Sequence, residues 1–244
     1  MIIIPMAGLS SRFFSAGFDK PKYMLEAHGK TLFEHSVLSF SNYFQSKKFV
    51  FIVRDVYDTI QFVANKIKQL GIADYYIHVL EGETRGQAET VALALKSLDS
   101  KHLNNSTTIF NIDTFRPNFT YPENELDVDG YLEVFIGSGD NWSYVKPYNK
   151  SDFVELTTEK VPISNLCSTG LYYFSKATDY IDAFEFMASL DPQEWINNEL
   201  YIAPMYNHLI KNGKRIKFNI IERKNVIFCG TPDEYHDFCD LEKV

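Results

Sequence analysis

The residues best suited to chemistry lie within the first 22 positions, where a loop of small residues is followed by two cations. The apolar run 1–7 (MIIIPMA) leads into Gly8, and Arg12 and Lys22 come shortly after it. Glycine lets the backbone approach a ligand, and successive N–H groups in such a loop form a concavity that binds anions. The two cations can neutralise phosphate charge. This spacing predicts a site for a nucleotide or another phosphorylated ligand.

The alternative for this loop is an ordinary strand and turn, since many α/β domains begin this way without binding anything there. The loop matches neither G-x-x-x-x-G-K-[ST] nor G-x-G-x-x-G. The two bracketing cations favour the phosphate site. We expect Lys22 to be exposed, so that losing it would change stability little.

Asp113 follows the segment 107–112 (TTIFNI), at the carboxyl end of a predicted strand. Open α/β sheets bind ligands outside these strand ends. A single Asp there can hold Mg²⁺, which bridges phosphate oxygens. A cap of a turn or helix is the alternative, and the N-terminal loop tips the balance towards a metal ligand.

Two later polar segments are candidate binding elements. Gly86 permits close backbone approach, and Gln87 offers a donor and an acceptor to a base edge. The alternative is a capping box with Thr84 as N-cap and Gln87 at N3. Further on, Lys160 and the small hydroxyl residues of 164–172 can hold a second phosphate. The alternative there is a hairpin with a solvated Glu-Lys pair.

Composition excludes several classes of protein. The net charge of −8 over 244 residues argues against a general nucleic-acid binder, which needs a basic face. The three cysteines form no C-x-x-C pair, and their odd, sparse count suits a reducing compartment. The six histidines have no metal-ligand spacing. The N-terminal apolar run is too short for a membrane span or a signal peptide. We expect a soluble, cytoplasmic protein with no membrane partner.

Strands and helices alternate in the first half, which predicts a largely parallel sheet with helices on both faces. After residue 120, short strands predominate before helices return. No linker separates the halves, so we expect a single domain over 1–244, with a nucleotide-binding half (about 1–120) and an acceptor-binding half (about 121–244). The expected strands are the N-terminal run, 49–53, 75–80, 107–112, 131–136, 142–145, 153–156, 170–174, 215–220 and 225–229. The expected helices are 56–70, 87–98, 176–189, 198–212 and one after Pro232.

Over nearly its whole length the chain resembles the sugar-phosphate nucleotidyltransferases. The family's A-G-x-x-S-R, P-K-x-x-L and G-K-x-L-x-E-H motifs match residues 7–12, 21–25 and 29–35. Its G-Q/T-A helix start matches residues 86–88, and its strand-end Asp matches Asp113. Three later elements match as well: the E-K pair at 159–160, S-N-x-x-x-T-G-x-Y at 164–172 and the late G-T-P at 230–232.

This resemblance implies an α/β fold, a Rossmann-like mixed, mainly parallel sheet of the glycosyltransferase-A type, and Mg²⁺ as cofactor. It also implies roles for individual residues. These are Arg12 and Lys22 as catalytic residues; Ala7, Gly8, Ser10, Ser11, Gly86 and Gln87 for the nucleotide; Glu159, Lys160, Thr169 and Gly170 for the acceptor; and Asp113 for the metal.

Three positions depart from the family pattern. Phe228 stands where a second metal-binding Asp is usual, so Glu222 or Asp233 replaces it, or the metal is held by Asp113 and phosphates. Asn111 stands where many members have a Gly before the Asp. The segment 142–144 (WSY) replaces a Tyr-Gly pair of sugar-binding members, which leaves a non-sugar acceptor such as phosphocholine open.

The expected activity is therefore Mg²⁺-dependent transfer of NMP from an NTP, CTP or another, to a sugar phosphate or other small phosphomonoester, for capsule or surface polysaccharide. Two rivals remain open: a non-catalytic nucleotide-binding regulator, suggested by Phe228, and a nucleotide-sugar-dependent glycosyltransferase. The second usually shows D-x-D, and residues 113–115 lack its second Asp. A homo-oligomer is left open.

Overall fold

The computed structural model describes residues 1–122 and 127–241. Its strands are β1 (Ile2–Pro5), β2 (Glu26–Ala27), β3 (Lys30–Thr31), β4 (Phe49–Arg54), β5 (Tyr75–Leu80), β6 (Thr107–Phe110), β7 (Thr114–Phe115), β8 (Gly130–Ile136), β9 (Ser143–Pro147), β10 (Val154–Glu159), β11 (Leu166–Phe174), β12 (Ile216–Ile221) and β13 (Ile227–Phe228). Its α-helices are α1 (Ser11–Ser15), α2 (Leu32–Leu38), α3 (Thr59–Leu70), α4 (Gln87–Lys96), α5 (Ala177–Ser189), α6 (Met205–Lys211) and α7 (Pro232–Asp240).

Backbone contacts divide the chain into two compact units. The first, here the N unit, comprises Ile4–Glu81, Phe110–Thr120 and Lys224–Val244. The second, the C unit, comprises Met1–Ile3, Gly82–Ile109 and Tyr121–Arg223. Each unit collects segments that are distant in sequence.

In the N unit, β4 pairs in parallel with β5, from Phe49 opposite Tyr75 to Arg54 opposite Leu80. The first five residues of β4 are buried, as its unbroken run of apolar residues requires. Helix α3 buries Val63 and Ile67 and ends at Gly71, whose φ of 72° lies in the left-handed region that glycine adopts easily.

A buried cluster in the N unit contains Phe13, Phe115, Cys229 and Phe238. Three of these residues flank candidate site positions, because Phe13 follows Arg12, Phe115 lies two residues after Asp113, and Cys229 precedes Gly230. Burial of this cluster therefore fixes three separate chain segments relative to one another.

In the C unit, the strands follow the order β10-β9-β11-β6-β1, and β8 joins β11 to β12. The pairs β9–β10 and β8–β11 are antiparallel, whereas β8–β12 and β1–β6 are parallel. Helix α5 contacts both α4 and α6. The predicted fold class, an α/β fold with a mixed, mainly parallel sheet, is confirmed.

Several predicted boundaries were wrong. Helix α3 begins at Thr59 rather than residue 56, because Tyr57 and Asp58 both have positive φ. Helix α6 begins at Met205 rather than 198, and strand β11 already begins at Leu166 rather than 170. Within the described residues, no helix is both long and apolar enough to cross a membrane.

Candidate functional site

The N-terminal loop is tied to Lys22 through Ser10. The Ser10 hydroxyl accepts a hydrogen bond from the Lys22 backbone N–H at 3.1 Å, and Ser10 has a φ of 53°. Gly8, Ser11 and Arg12 are exposed, and apart from Gly8 and its two chain neighbours, none of the described residues has an atom within 4 Å of the position of a Cβ at Gly8. The loop therefore keeps a surface on which a ligand can lie.

Lys22 also forms an ion pair with Asp113. Its Nζ lies 2.6 Å from Asp113 Oδ2, and the two side chains are only 19% and 25% exposed. The expectation of an exposed Lys22 was wrong: the first turn after Pro21 directs its side chain to the end of β6, where Asp113 lies. Two residues distant in sequence, both predicted from their motifs, are thus in direct contact.

Asp113 is held as a carboxylate. Burial acts to raise its pKa, but the neighbouring Lys22 ammonium and, more weakly, the Arg12 guanidinium outweigh burial and keep the pKa below the ordinary value of 3.8. Arg12, Lys22 and Asp113 therefore form a single electrostatic group, with two cations and an ionised acid.

The chain returns to Asp113 through β13, which pairs with β7 so that Phe228 lies opposite Thr114. The Cys229 N–H donates to the Asp113 carbonyl oxygen at 2.7 Å. A Cβ on Gly230 would stand 3.1 Å from Asp113 Oδ2 and 3.5 Å from Glu234 Oε2. The absence of a side chain at Gly230 thus leaves room for a small group beside two carboxylates.

Glu234 is the nearby carboxylate that the sequence reasoning missed. Its Oε2 accepts from the backbone N–H groups of Gly230 and Thr231, at 2.8 and 3.0 Å, and it forms a capping box with Thr231 at the start of α7. The T-x-x-E pattern that begins at Thr231, within the late G-T-P, carries this signal in the sequence.

The two carboxylates proposed as substitutes for the second ligand are both exposed. Asp233 lies in the first turn of α7, and Glu222 follows β12 in the C unit, whereas Asp113 belongs to the N unit. No group of three or more His, Cys, Asp or Glu side chains among the described residues can hold a metal ion. Magnesium is commonly bound by one or two carboxylates plus substrate phosphates, and the ionised Asp113 fits that donor set.

The Gly86–Gln87 turn begins α4 in the C unit. Gly86 is the N-cap, with a φ of 136° and no side-chain cap, so the alternative of a capping box with Thr84 as N-cap was wrong. Thr84 instead shares a hydrogen bond with Thr90 at 2.7 Å. Arg85 is held by Glu89, whose Oε1 accepts from its Nε at 2.9 Å.

Glu159 is buried and accepts a short hydrogen bond from the Ser143 hydroxyl, which lies 3.2 Å from the Tyr172 hydroxyl. Burial raises its pKa above the ordinary 4.5. Register explains the contact, since Ser143 lies opposite Glu159 in the β9–β10 pair. This small polar cluster includes Ser143 from the atypical segment 142–144.

Lys160, Thr169 and Gly170 occupy different surroundings within the C unit. Lys160 Nζ donates to the Tyr201 hydroxyl at 2.6 Å. Thr169 and Gly170 lie where the β8–β11 register shifts, and the buried Thr169 hydroxyl donates to Glu133 Oε1 at 3.2 Å. The Lys160 partner Tyr201 was not predicted from the sequence.

Comparison with solved structures shows that the chain is similar to a known nucleotide-sugar enzyme. A nucleoside-diphosphate-sugar pyrophosphorylase from Vibrio cholerae RC9 has 58% sequence identity and a TM-score of 0.94, over 99% of this chain and 100% of that chain. Neither a protein-family model nor a curated protein matches the chain.

More distant crystal structures share the fold. An inositol-1-phosphate CTP transferase from T. maritima has 15% identity and a TM-score of 0.71, over 98% of this chain and 94% of that one. A UDP-glucose pyrophosphorylase complexed with UDP-glucose has 15% identity and a TM-score of 0.73, over 98% and 96%.

Proposed function

Because the chain belongs to the sugar-phosphate nucleotidyltransferase family and is a nucleotidyltransferase, we propose that it transfers NMP from an Mg²⁺-bound NTP to a sugar phosphate. An oxygen of the acceptor phosphate attacks the α-phosphorus in line, and the bond to pyrophosphate breaks. The products are a nucleoside diphosphate derivative of the acceptor and pyrophosphate. This reaction needs positioning and charge stabilisation more than covalent catalysis by the protein.

The ion pair of Lys22 with Asp113, beside Arg12 and the Gly8 loop, is the observation that carries this proposal. A triphosphate needs cations, and Mg²⁺ needs an ionised carboxylate. Asp113 would hold Mg²⁺ together with the phosphates, and the ion would supply further charge neutralisation there. In this proposal the Lys22 ammonium also contacts the phosphates, and Arg12 stabilises the departing pyrophosphate.

The remaining predicted residues receive roles in the same proposal. The backbone of Ala7, Gly8, Ser10 and Ser11 binds the triphosphate. Gly86 and Gln87 bind the base, where the amide of Gln87 can both donate and accept. Lys160 binds the acceptor phosphate, and the buried Glu159, with Thr169 and Gly170, holds the rest of the acceptor.

A sugar phosphate is the acceptor favoured here, because the relative at 58% identity is named a nucleoside-diphosphate-sugar pyrophosphorylase. CTP as donor and a role in capsule or surface polysaccharide are further proposals that rest on the sequence resemblance alone. Reaction in the cytoplasm is supported by the use of an NTP and by three free cysteines, Cys167, Cys229 and Cys239.

The test is a pyrophosphate-release assay of the four NTPs against sugar 1-phosphates, other sugar phosphates and phosphocholine, each with and without Mg²⁺. We expect one pair to turn over, with the nucleotidyl product identified by mass. Asp113→Asn preserves the shape but removes the charge, so activity should collapse even at saturating NTP. If the protein binds nucleotide but no combination of NTP and acceptor releases pyrophosphate, the result favours the non-catalytic regulator suggested by Phe228.

A further inference from the structure

The segment 199–201 lies before α6 in the chain, and the backbone of its middle residue, Leu200, is hydrogen-bonded to the turn that begins α4. The Leu200 N–H donates to the Arg85 carbonyl oxygen at 2.7 Å, and the Ala88 N–H donates to the Leu200 carbonyl oxygen at 3.0 Å. Two backbone hydrogen bonds therefore fix Leu200 against the proposed base-binding turn.

The approach is so close that residue 86 must be glycine. A Cβ there would lie 2.5 Å from the Leu200 carbonyl oxygen, 2.8 Å from Leu200 N and 2.8 Å from Glu199 Cγ. Two of these neighbours are backbone atoms, which cannot move aside cheaply. The segment is thus anchored by geometry as well as by hydrogen bonds.

The same segment holds the Lys160 side chain through Tyr201. Lys160 Nζ donates to the Tyr201 hydroxyl at 2.6 Å and lies 4.8 Å from the centroid of its ring. The hydroxyl in turn donates to Glu199 Oε2 at 2.5 Å. Its single proton is directed to Glu199, so its lone pairs face the ammonium group, and the carboxylate strengthens it as an acceptor.

We propose that Tyr201 is a positioning residue, which holds the Lys160 ammonium in place for the acceptor phosphate and is itself fixed by Glu199 and Leu200 on the Gly86 turn. This inference rests on the proposed function, in which Lys160 binds that phosphate. A free lysine side chain loses much rotamer freedom on binding an anion, and a preset one loses less. Tyr201 therefore acts on the acceptor through Lys160 rather than by touching it.

Kinetics of Tyr201→Phe test this role, because the variant keeps the ring and removes only the hydroxyl. We expect the acceptor KM to rise about ten-fold, as for loss of a hydrogen bond to a charged group, with kcat and the NTP KM nearly unchanged. In a Lys160→Ala background the same change should add nothing to the acceptor KM. Tyr148→Phe, at an exposed tyrosine of the same unit, is the matched control and should behave as the wild type.

A second measurement does not depend on turnover. Burial acts to lower the pKa of Lys160, but the hydrogen bond to Tyr201 and the nearby acids outweigh burial and raise this pKa. NMR titration of the ¹³C-methylated Lys160 amine should show a lower pKa in Tyr201→Phe than in the wild type. An unchanged pKa, or an acceptor KM that rises equally with and without Lys160, would overturn the positioning role. An inactive wild type that still shows the pKa difference would instead refute the proposed function alone.

Discussion

Lys22 connects the phosphate loop to the strand-end acid, because its N–H bonds to Ser10 and its ammonium to Asp113. Removing the side chain leaves Asp113 as a largely buried carboxylate without its nearest cation. We expect Lys22→Ala to lower turnover by about 100- to 1,000-fold and the free energy of unfolding by about 1–2 kcal/mol. Steady-state kinetics and urea denaturation at neutral pH measure the two effects.

The double variant Lys22→Ala/Asp113→Ala is the control for the stability effect. Removing both charges should recover part of the stability lost in Lys22→Ala, since no charge is then stranded. Additive losses in the double variant would show that the ion pair does not contribute to stability. Near-wild-type turnover of Lys22→Ala would remove Lys22 from the proposed mechanism.

Glu159 gives the fold a pH dependence of a particular sign. Burial raises its folded pKa above 4.5, so the folded protein keeps this proton to higher pH than the unfolded chain does. Its contribution to the free energy of unfolding is therefore largest below pH 4.5 and is lost as the pH rises through the folded pKa. Glu159→Gln can still accept the hydrogen bond from Ser143 but cannot ionise, so its free energy of unfolding should not show this fall with rising pH. Above the folded pKa the variant should therefore gain stability relative to the wild type.

Urea denaturation at several pH values between 4 and 8, on the order of one unit apart, measures the difference. Glu155→Gln is the matched control, since Glu155 lies in the same strand with a side chain that is 43% exposed. A wild-type and Glu159→Gln pair with parallel pH profiles would contradict the effect of burial.

At the scale of elements, hydrophobic periodicity predicted those strands and helices whose bounds are set by the local sequence. The bounds of β5 were predicted in full, and the start of α4 at Gln87 was correct. Helix α6 was predicted seven residues too long at its start, because the backbone of Leu200 bonds to the turn before α4 instead. Such a long-range backbone contact leaves no periodic signal.

The residues of the candidate site were predictable from the sequence only in part, as were the bounds of the elements. Motifs identified Lys22 and Asp113, but not that their side chains meet, since 91 residues separate them in sequence. Glu234 was missed because its capping-box pattern describes a local helix start and says nothing about Asp113. Tyr201 carries no motif of its own in the sequence reasoning, and only its contact with Lys160 reveals it.

The Gly86 turn makes a prediction at this scale. Gly86→Ala places a Cβ against Leu200 backbone atoms at a φ of 136°, so we expect a loss of about 2–4 kcal/mol in the free energy of unfolding. Gly82→Ala should cost far less, because beyond the neighbouring residues in the chain no atom in the described part of the protein lies within 4 Å of the new Cβ. Thermal denaturation of the two variants measures the difference, and equal stabilities would show that Leu200 moves aside easily.

At the scale of the molecule, the sequence predicted one domain with a nucleotide half and an acceptor half, and this division stays a prediction. The compact units group the residues differently. Arg12, Lys22 and Asp113 belong to the N unit, whereas Gln87 belongs to the C unit together with Lys160. Sequence position alone could not give this grouping, because both units contain chain segments from each half.

Kinetics can separate the proposed binding roles irrespective of this grouping. Lys160→Ala removes the cation for the acceptor phosphate, so the acceptor KM should rise by about ten-fold or more while the NTP KM changes little. Gln87→Ala leaves the Gly86 contact with Leu200 intact but removes the directed hydrogen bonds to the base. The NTP KM should then rise and discrimination between bases should weaken, with little change in the acceptor KM. Measurement of the NTP KM and the acceptor KM for both variants tests whether the two residues serve different substrates. Equal effects of each mutation on both KM values would show that donor and acceptor recognition are not separable in this protein.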